Sequence, residues 1–180
     1  MTLLLHTCCG PCSVYIVESL TAAGTDFTSY FYNPNIHPYT EYQRRLETLR
    51  LFVLTSGFDL RVHPEYRPEE YFRAVTGRED DRCSLCYRIR LEKAAETARE
   101  LGCEAFSTTL LYSRYQKHDL LRATGDAVAR ETGVPFYYED FRVGWTRGVK
   151  ESRRLGIYRQ RYCGCLYSER ERFLEGSPAG

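Results

Sequence analysis

Short apolar runs alternate along this chain with longer stretches whose apolar positions recur at helical spacing. Thr2–His6 reads as a buried strand, followed by a helix that opens near Pro11 and ends at Ala23-Gly24. Proline suits a helix's first turn and glycine its C-terminal cap. Phe27–Tyr32 is a second strand, broken by Asn33-Pro34-Asn35. From Pro38 to Ser56 the chain is helical, with Tyr42, Leu46, Leu49, Phe52 and Val53 on one side and Gly57 closing it. Phe58–His63 predicts a third strand, Glu69–Val75 a short helix, and Gly77–Arg82 a polar loop. Cys83 to Leu101 is helical again, with Leu85, Ile89 and the later alanines buried. Glu104–Leu110 predicts a fourth strand, His118–Glu131 a helix ended by Gly133, and Pro135–Tyr138 a short fifth strand. The tail differs: a basic helix near Thr146–Leu155, a Tyr/Arg loop, Cys163-Gly164-Cys165, and a final short helix to about Leu174.

Strands separated by helices of this length imply an α/β fold, an open parallel sheet with flanking helices and right-handed crossovers. Residues 1–180 are expected to form a single domain, with 145–180 as a basic, helical, cysteine-containing C-terminal appendage. A composition 43% hydrophobic and 27% charged excludes a disordered chain. No stretch is long enough to cross a membrane, and Met1–Leu5 is too short for a signal-peptide core. A cytoplasmic protein without a membrane partner is therefore expected. There thiols stay reduced, so the eight cysteines read as metal ligands or redox groups instead of a disulfide framework.

Cys8-Cys9-Gly10-Pro11-Cys12 directly follows the first strand, where a parallel sheet places its binding crevice. Buried cysteines can serve as small hydrophobes, but glycine and proline mark this run as a loop. Cys83-Ser84-Leu85-Cys86 opens a helix, whose N-terminus favours the metal-binding thiolate. In Cys163-Gly164-Cys165 the glycine lets the backbone turn sharply between two thiols, which suits a redox dithiol or two ligands of one metal. Cys103 stands alone and reads as packing. Seven clustered thiols exceed one tetrahedral zinc, and four in two pairs suit a [4Fe–4S] cluster, although zinc accepts four thiolates as well.

Net charge is +1, yet between Arg142 and Tyr162 the cations Arg142, Arg147, Lys150, Arg153, Arg154, Arg159 and Arg161 oppose a single acid, Glu151. Interleaved Trp145, Tyr158 and Tyr162 could stack on unpaired bases while the cations meet phosphates. The plainer alternative is a solvated basic helix with aromatic anchors. His6 could tune a metal site by a hydrogen bond or be an ordinary satisfied group. His37 falls in the loop facing the same crevice, and His63 and His118 read as surface residues. Asp80 and Asp81 read as solvated loop acids. Ser113–Lys117, after the fourth strand, is a candidate substrate loop.

Four stretches together resemble one family, the QueH-type epoxyqueuosine reductases: Leu3-Leu-Leu-His-Thr-Cys-Cys-Gly-Pro-Cys-Ser13, Arg82-Cys-Ser-Leu-Cys-Tyr87, Thr108-Thr-Leu-Leu-Tyr-Ser-Arg-Tyr-Gln-Lys117 and Tyr158-Arg-Gln-Arg-Tyr-Cys-Gly-Cys165. The resemblance implies a nucleotide-binding fold of the ATP-pyrophosphatase or HUP-like type, with thiols where a phosphate loop would sit. It implies reduction of epoxyqueuosine to queuosine at the tRNA wobble position. An external electron donor and a monomeric enzyme are expected. Cys8, Cys9, Cys83 and Cys86 would hold a [4Fe–4S] cluster, and some members carry a second, mononuclear iron. Cys163 and Cys165 would be the redox-active pair, able to cycle with a disulfide. Cys12 would complete the reactive set, at a position where family members can carry an acid. From the loop after the fourth strand and the basic tail, Tyr115, Gln116, Arg147, Arg159 and Arg161 are the candidates to meet that tRNA. The competing readings are a zinc-stabilised RNA-binding module without redox chemistry and a thiol–disulfide oxidoreductase.

Overall fold

The computed structural model describes residues 1–176. Its centre is a four-stranded, all-parallel sheet in the order β3-β2-β1-β4, formed by β1 (Thr2–His6), β2 (Asp26–Phe31), β3 (Asp59–Val62) and β4 (Ala105–Thr108). Leu3, Leu4 and Leu5 of β1 are all buried, as a central strand covered on both faces requires. Leu4 lies opposite Thr28 on one side and Phe106 on the other. The chain steps outward from β1 through β2 to β3, then returns across β1 to β4. Strand order thus reverses between β1 and β4, and a crevice opens there at the strands' C-terminal ends.

The helices are α1 (Gly10–Ala22), α2 (Tyr39–Ser56), α3 (Pro68–Val75), α4 (Arg82–Glu100), α5 (His118–Thr132), α6 (Trp145–Arg154) and α7 (Leu166–Phe173). α2 stops at Gly57, whose left-handed backbone (φ 71°) lets its amide return to the Val53 carbonyl at 2.8 Å. Val14 and Val17 of α1 bury against Phe31, Leu46, Leu49 and Phe52, fixing α1 and α2 beside β2. α4 lies against β1 and β4 and pairs with α5, with Leu91, Ala94, Ala95 and Ala98 fully buried. Alanines there allow the helix to approach the sheet closely. α6 packs on α1.

Two strand expectations are corrected. The fifth strand over 135–138 is a single parallel bridge, Phe106 to Phe136, because Pro135 has no amide and the chain turns away to Asp140 after Tyr137. The fourth ends at Thr108, whose hydroxyl accepts from the Leu110 amide at 3.2 Å and winds Thr109–Tyr112 into a 3₁₀ turn. The loop expected at 77–82 contains a 3₁₀ turn, Glu79–Asp81, that runs into α4.

Candidate metal and thiol centre

Cys8 leaves the end of β1, and Cys9 stands in extended backbone (φ −173°) before α1, with Pro11 in that helix's first turn. This strand-to-helix corner gathers the Cys8, Cys9 and Cys12 sulfurs within 4.8 Å of one another, a group that could hold a metal ion. All three are buried. Thr109, delivered by the 3₁₀ turn after β4, donates to Cys8 Sγ at 3.3 Å and accepts from the Cys8 amide at 3.1 Å. Gln160 donates to Cys9 Sγ at 2.9 Å and approaches Cys12 Sγ at 3.8 Å. Hydrogen bonds from Cys12 and Cys9 hold the Cys8 thiol well below the usual range, despite burial. Burial raises that of Cys9, and the hydrogen bonds with Cys8 and Cys9 raise that of Cys12. The trio concentrates negative charge on one sulfur.

A second group faces it. Cys83 and Cys86 at the start of α4, together with Cys163 and Cys165, line one cavity of about 230 Å³ that also presents Asn35, Tyr71 and Tyr115. Cys83 packs against the core cluster that contains Cys8, Cys9 and Cys12, whereas Cys86 and Cys165 pack with Tyr71 and Val75. Burial pushes the Cys86 thiol up to about 12 and raises that of Cys163 as well. Arg90 faces Cys86 and Cys163 of the second group and Cys8 of the first, so the two groups are neighbours. Cys103 is elsewhere, beside Thr2 and Leu3 at the other end of the strands, in keeping with a packing role. All eight cysteines are free thiols.

The C-terminal dithiol is held by polar groups from distant parts of the chain. Arg45, 1% exposed, pairs with Glu41 at 2.7 Å and donates to the carbonyls of Cys163 (2.8 Å) and Tyr162 (3.0 Å). The His37 amide donates to the Gly164 carbonyl at 2.8 Å, and the Tyr162 hydroxyl donates to the His37 carbonyl. Gly164 has φ 145°, and a Cβ there would meet Ile36 at 3.1 Å and Asn35 at 3.2 Å. Only glycine suits both the backbone and the close approach. Gln116 donates to Cys163 Sγ at 3.4 Å while accepting from the Tyr87 hydroxyl at 2.8 Å.

Other expected residues fall in varied places. Tyr115 is half exposed at the cavity and meets Trp145 edge-on at 5.4 Å, with Arg114 also over Trp145. Arg147 is exposed but paired with Glu18, Arg159 donates to Ser152 at 2.7 Å, and Arg161 is exposed. Asp80 and Asp81 are exposed, as expected of loop acids. His6 is fully buried between Thr108 Oγ1 (2.9 Å) and the Tyr32 carbonyl (3.0 Å). Burial, reinforced by Arg90, lowers it to about 4, so it is neutral near pH 7. Two surface assignments are corrected: His118 is buried against the Tyr138 hydroxyl at 3.1 Å, and His63 is half-buried against Tyr30 and Tyr32. Both rings are covered by tyrosines brought up from elsewhere in the chain, which the local polar sequence does not reveal. Sequence reasoning missed Thr109, Gln160, Arg45 and Arg90. The first two lie inside quoted motifs; the arginines lie in ordinary helical stretches without any local signal.

The family described as Epoxyqueuosine reductase QueH matches residues 3–171 of this chain. The chain belongs to the epoxyqueuosine reductase QueH family. Membership makes it one of a family of oxidoreductases. A relative from Dehalococcoides mccartyi, named Epoxyqueuosine reductase QueH, is 43% identical over 98% of both chains. One of the same name from Thermotoga maritima is 37% identical, covering 95% of this chain and 92% of its own. Among solved structures, a predicted subunit of a tRNA methyltransferase from Methanocaldococcus jannaschii superposes with a TM-score of 0.61 at 12% identity, over 99% of this chain and 89% of its own. At that identity the likeness is one of fold. It fits the expected α/β class of open parallel sheet with flanking helices.

Proposed function

We propose that this chain reduces epoxyqueuosine to queuosine at the wobble position of tRNA, as a single catalytic domain in the cytoplasm. The observation that carries the reading beyond family membership is the pair of neighbouring thiol groups, Cys8, Cys9 and Cys12 within 4.8 Å of one another and Cys83, Cys86, Cys163 and Cys165 lining one cavity. The donor set fits an iron–sulfur group: soft sulfur ligands, more than one tetrahedral zinc can use, in a buried pocket. Cys8, Cys9, Cys83 and Cys86 would hold a [4Fe–4S] cluster, with Cys12 beside it as the candidate ligand of a second iron. When bound, such a group would supply electrons singly and a Lewis-acidic iron.

The chain's own residues divide the remaining work. Removing the epoxide oxygen takes two electrons and two protons and yields an alkene and water. Oxidation of Cys163 and Cys165 to a disulfide releases two electrons and two protons, so the pair matches that demand and needs an external donor to be reduced again. Gln116 orients the Cys163 sulfur through Tyr87. Tyr115 and Trp145 offer aromatic faces for a nucleobase at the cavity, and Arg159 and Arg161 offer charge for phosphates. Arg147 would first have to exchange Glu18 for a phosphate.

The test is anaerobic purification with iron and sulfide analysis, followed by assay on tRNA carrying epoxyqueuosine. About four irons with matching sulfide per chain and formation of queuosine are expected. A colourless protein with one zinc and no sulfide would sink the redox reading.

A further inference from the structure

Two arginines are buried beside the thiols, each 1% exposed, and their surroundings differ in kind. Arg45 has a carboxylate and two carbonyls for its guanidinium. Arg90, one helical turn after Cys86 in α4, has one protein acceptor among the described residues, the Cys86 carbonyl, which takes its Nε hydrogen at 3.1 Å. Its Nη2 is buried with no hydrogen-bond partner among the described residues. No carboxylate pairs with it among those residues. A guanidinium cannot shed its proton to relieve that burial, and a charge left unpaired in a core is strongly destabilising. The anion it requires must come from what faces it, and those groups are Cys86, Cys163, Cys8 and the Tyr87 ring at 5.9 Å. Burial opposes its charge, and attraction to the sulfurs of Cys86, Cys163 and Cys8 supports it, Cys8 being the one whose thiol is held low. Members of both thiol groups thus share one fixed cation.

We propose that Arg90 is the counter-charge of the thiol centre, facing the Cys8 sulfur and the iron–sulfur group that Cys8 and Cys86 would hold, and thereby setting the potential at which the centre accepts an electron. The proposal rests on the reading of the thiols as an iron–sulfur site. Each electron taken up adds one negative charge to a buried site, and a fixed positive charge lowers the cost of adding it. Arg90 is a positioning residue of electrostatic kind; it carries no atom of the reaction.

The experiment loads the full chain and its Arg90→Lys, Arg90→Gln and Arg90→Met variants with iron and sulfide under anaerobic conditions. The midpoint potential of each is then read from its absorption during a reductive titration. Lysine, which keeps the charge, is expected to leave the potential close to native. Glutamine, which keeps a donor but no charge, and methionine, which keeps neither, are expected to shift it to more negative values. A native potential in Arg90→Gln overturns the proposal, even if Arg90→Met fails to fold. So does an equal shift in the lysine and glutamine variants, which would point to shape instead of charge. Failure of the native chain itself to take up iron and sulfide overturns the iron–sulfur reading, and this inference with it. Unchanged potentials in loaded protein overturn Arg90's role alone.

Discussion

The two thiol-bearing segments at the ends of the chain reach the same crevice by opposite means. Cys8, Cys9 and Cys12 are placed by local backbone: a buried strand ends, a helix begins within a few residues, and three sulfurs gather at the corner. Cys163 and Cys165 follow a tail without a strand to anchor it. They are placed by Arg45, His37 and Gln116, which lie far away in sequence. The first segment is built like a part of the core; the second is fastened onto it. A built corner tolerates loss of single polar contacts, whereas a fastened strap depends on them.

The largest expected effect separates the two segments by what they lose. Cys9→Ser should abolish iron retention and activity together, since it removes a sulfur from the buried corner. Cys163→Ser combined with Cys165→Ser should keep the iron and sulfide and lose turnover by about a thousandfold or more, an order-of-magnitude expectation for removing a reactive group. Parallel metal analysis and single-turnover assays would read both. Equal iron loss in both variants would erase the distinction and assign all the thiols to metal binding.

Breaking the fastening is expected to come next in size. Arg45→Met leaves the Glu41 carboxylate, which also accepts from Tyr158 at 2.8 Å, without its buried cation. It also frees the carbonyls of Tyr162 and Cys163. Removing one partner of a buried, hydrogen-bonded pair costs about 3–5 kcal/mol. Urea unfolding should show that loss, and faster alkylation of Cys163 than of Cys9 would show that the strap loosens first. Uniform alkylation of both would argue that the corner needs the same support.

The same contrast explains what was legible in the sequence. Leu3–Leu5, the Cys8–Cys12 loop and the Cys83–Cys86 helix start are local patterns, so strand, helix and thiols could be placed from neighbouring residues. The expected strand at 135–138 failed because a single bridge to Phe106 depends on a tertiary neighbour and on the direction taken after Tyr137. His118 failed because its burial comes from Tyr138 across a turn, and nothing within α5 announces it. Arg45 and Arg90 were invisible as site residues. An arginine in a polar helix ordinarily faces water, and only the folded arrangement shows that these two face sulfur and carbonyls.

The smallest expected effect concerns acid and the strap's other fastener. His37 is 3% exposed, stacked on Phe72 at 4.5 Å, with its Nε2 against the Pro34 carbonyl at 3.0 Å. Burial lowers it to about 4, so the folded ring is neutral while an unfolded histidine gains a proton below about 6.5. Between those values the unfolded chain binds the extra proton, so stability falls as pH drops from about 6.5 towards 4. At pH 5 the cost is about 2 kcal/mol. His37→Asn removes the titrating ring but keeps the backbone amide that donates to Gly164. The variant's urea midpoint should therefore change less between pH 7 and pH 5 than the native protein's, by the equivalent of that cost. An identical acid dependence in both would mean that the strap is held without regard to the charge of His37. The acid sensitivity of the fold would then belong to the built side of the crevice.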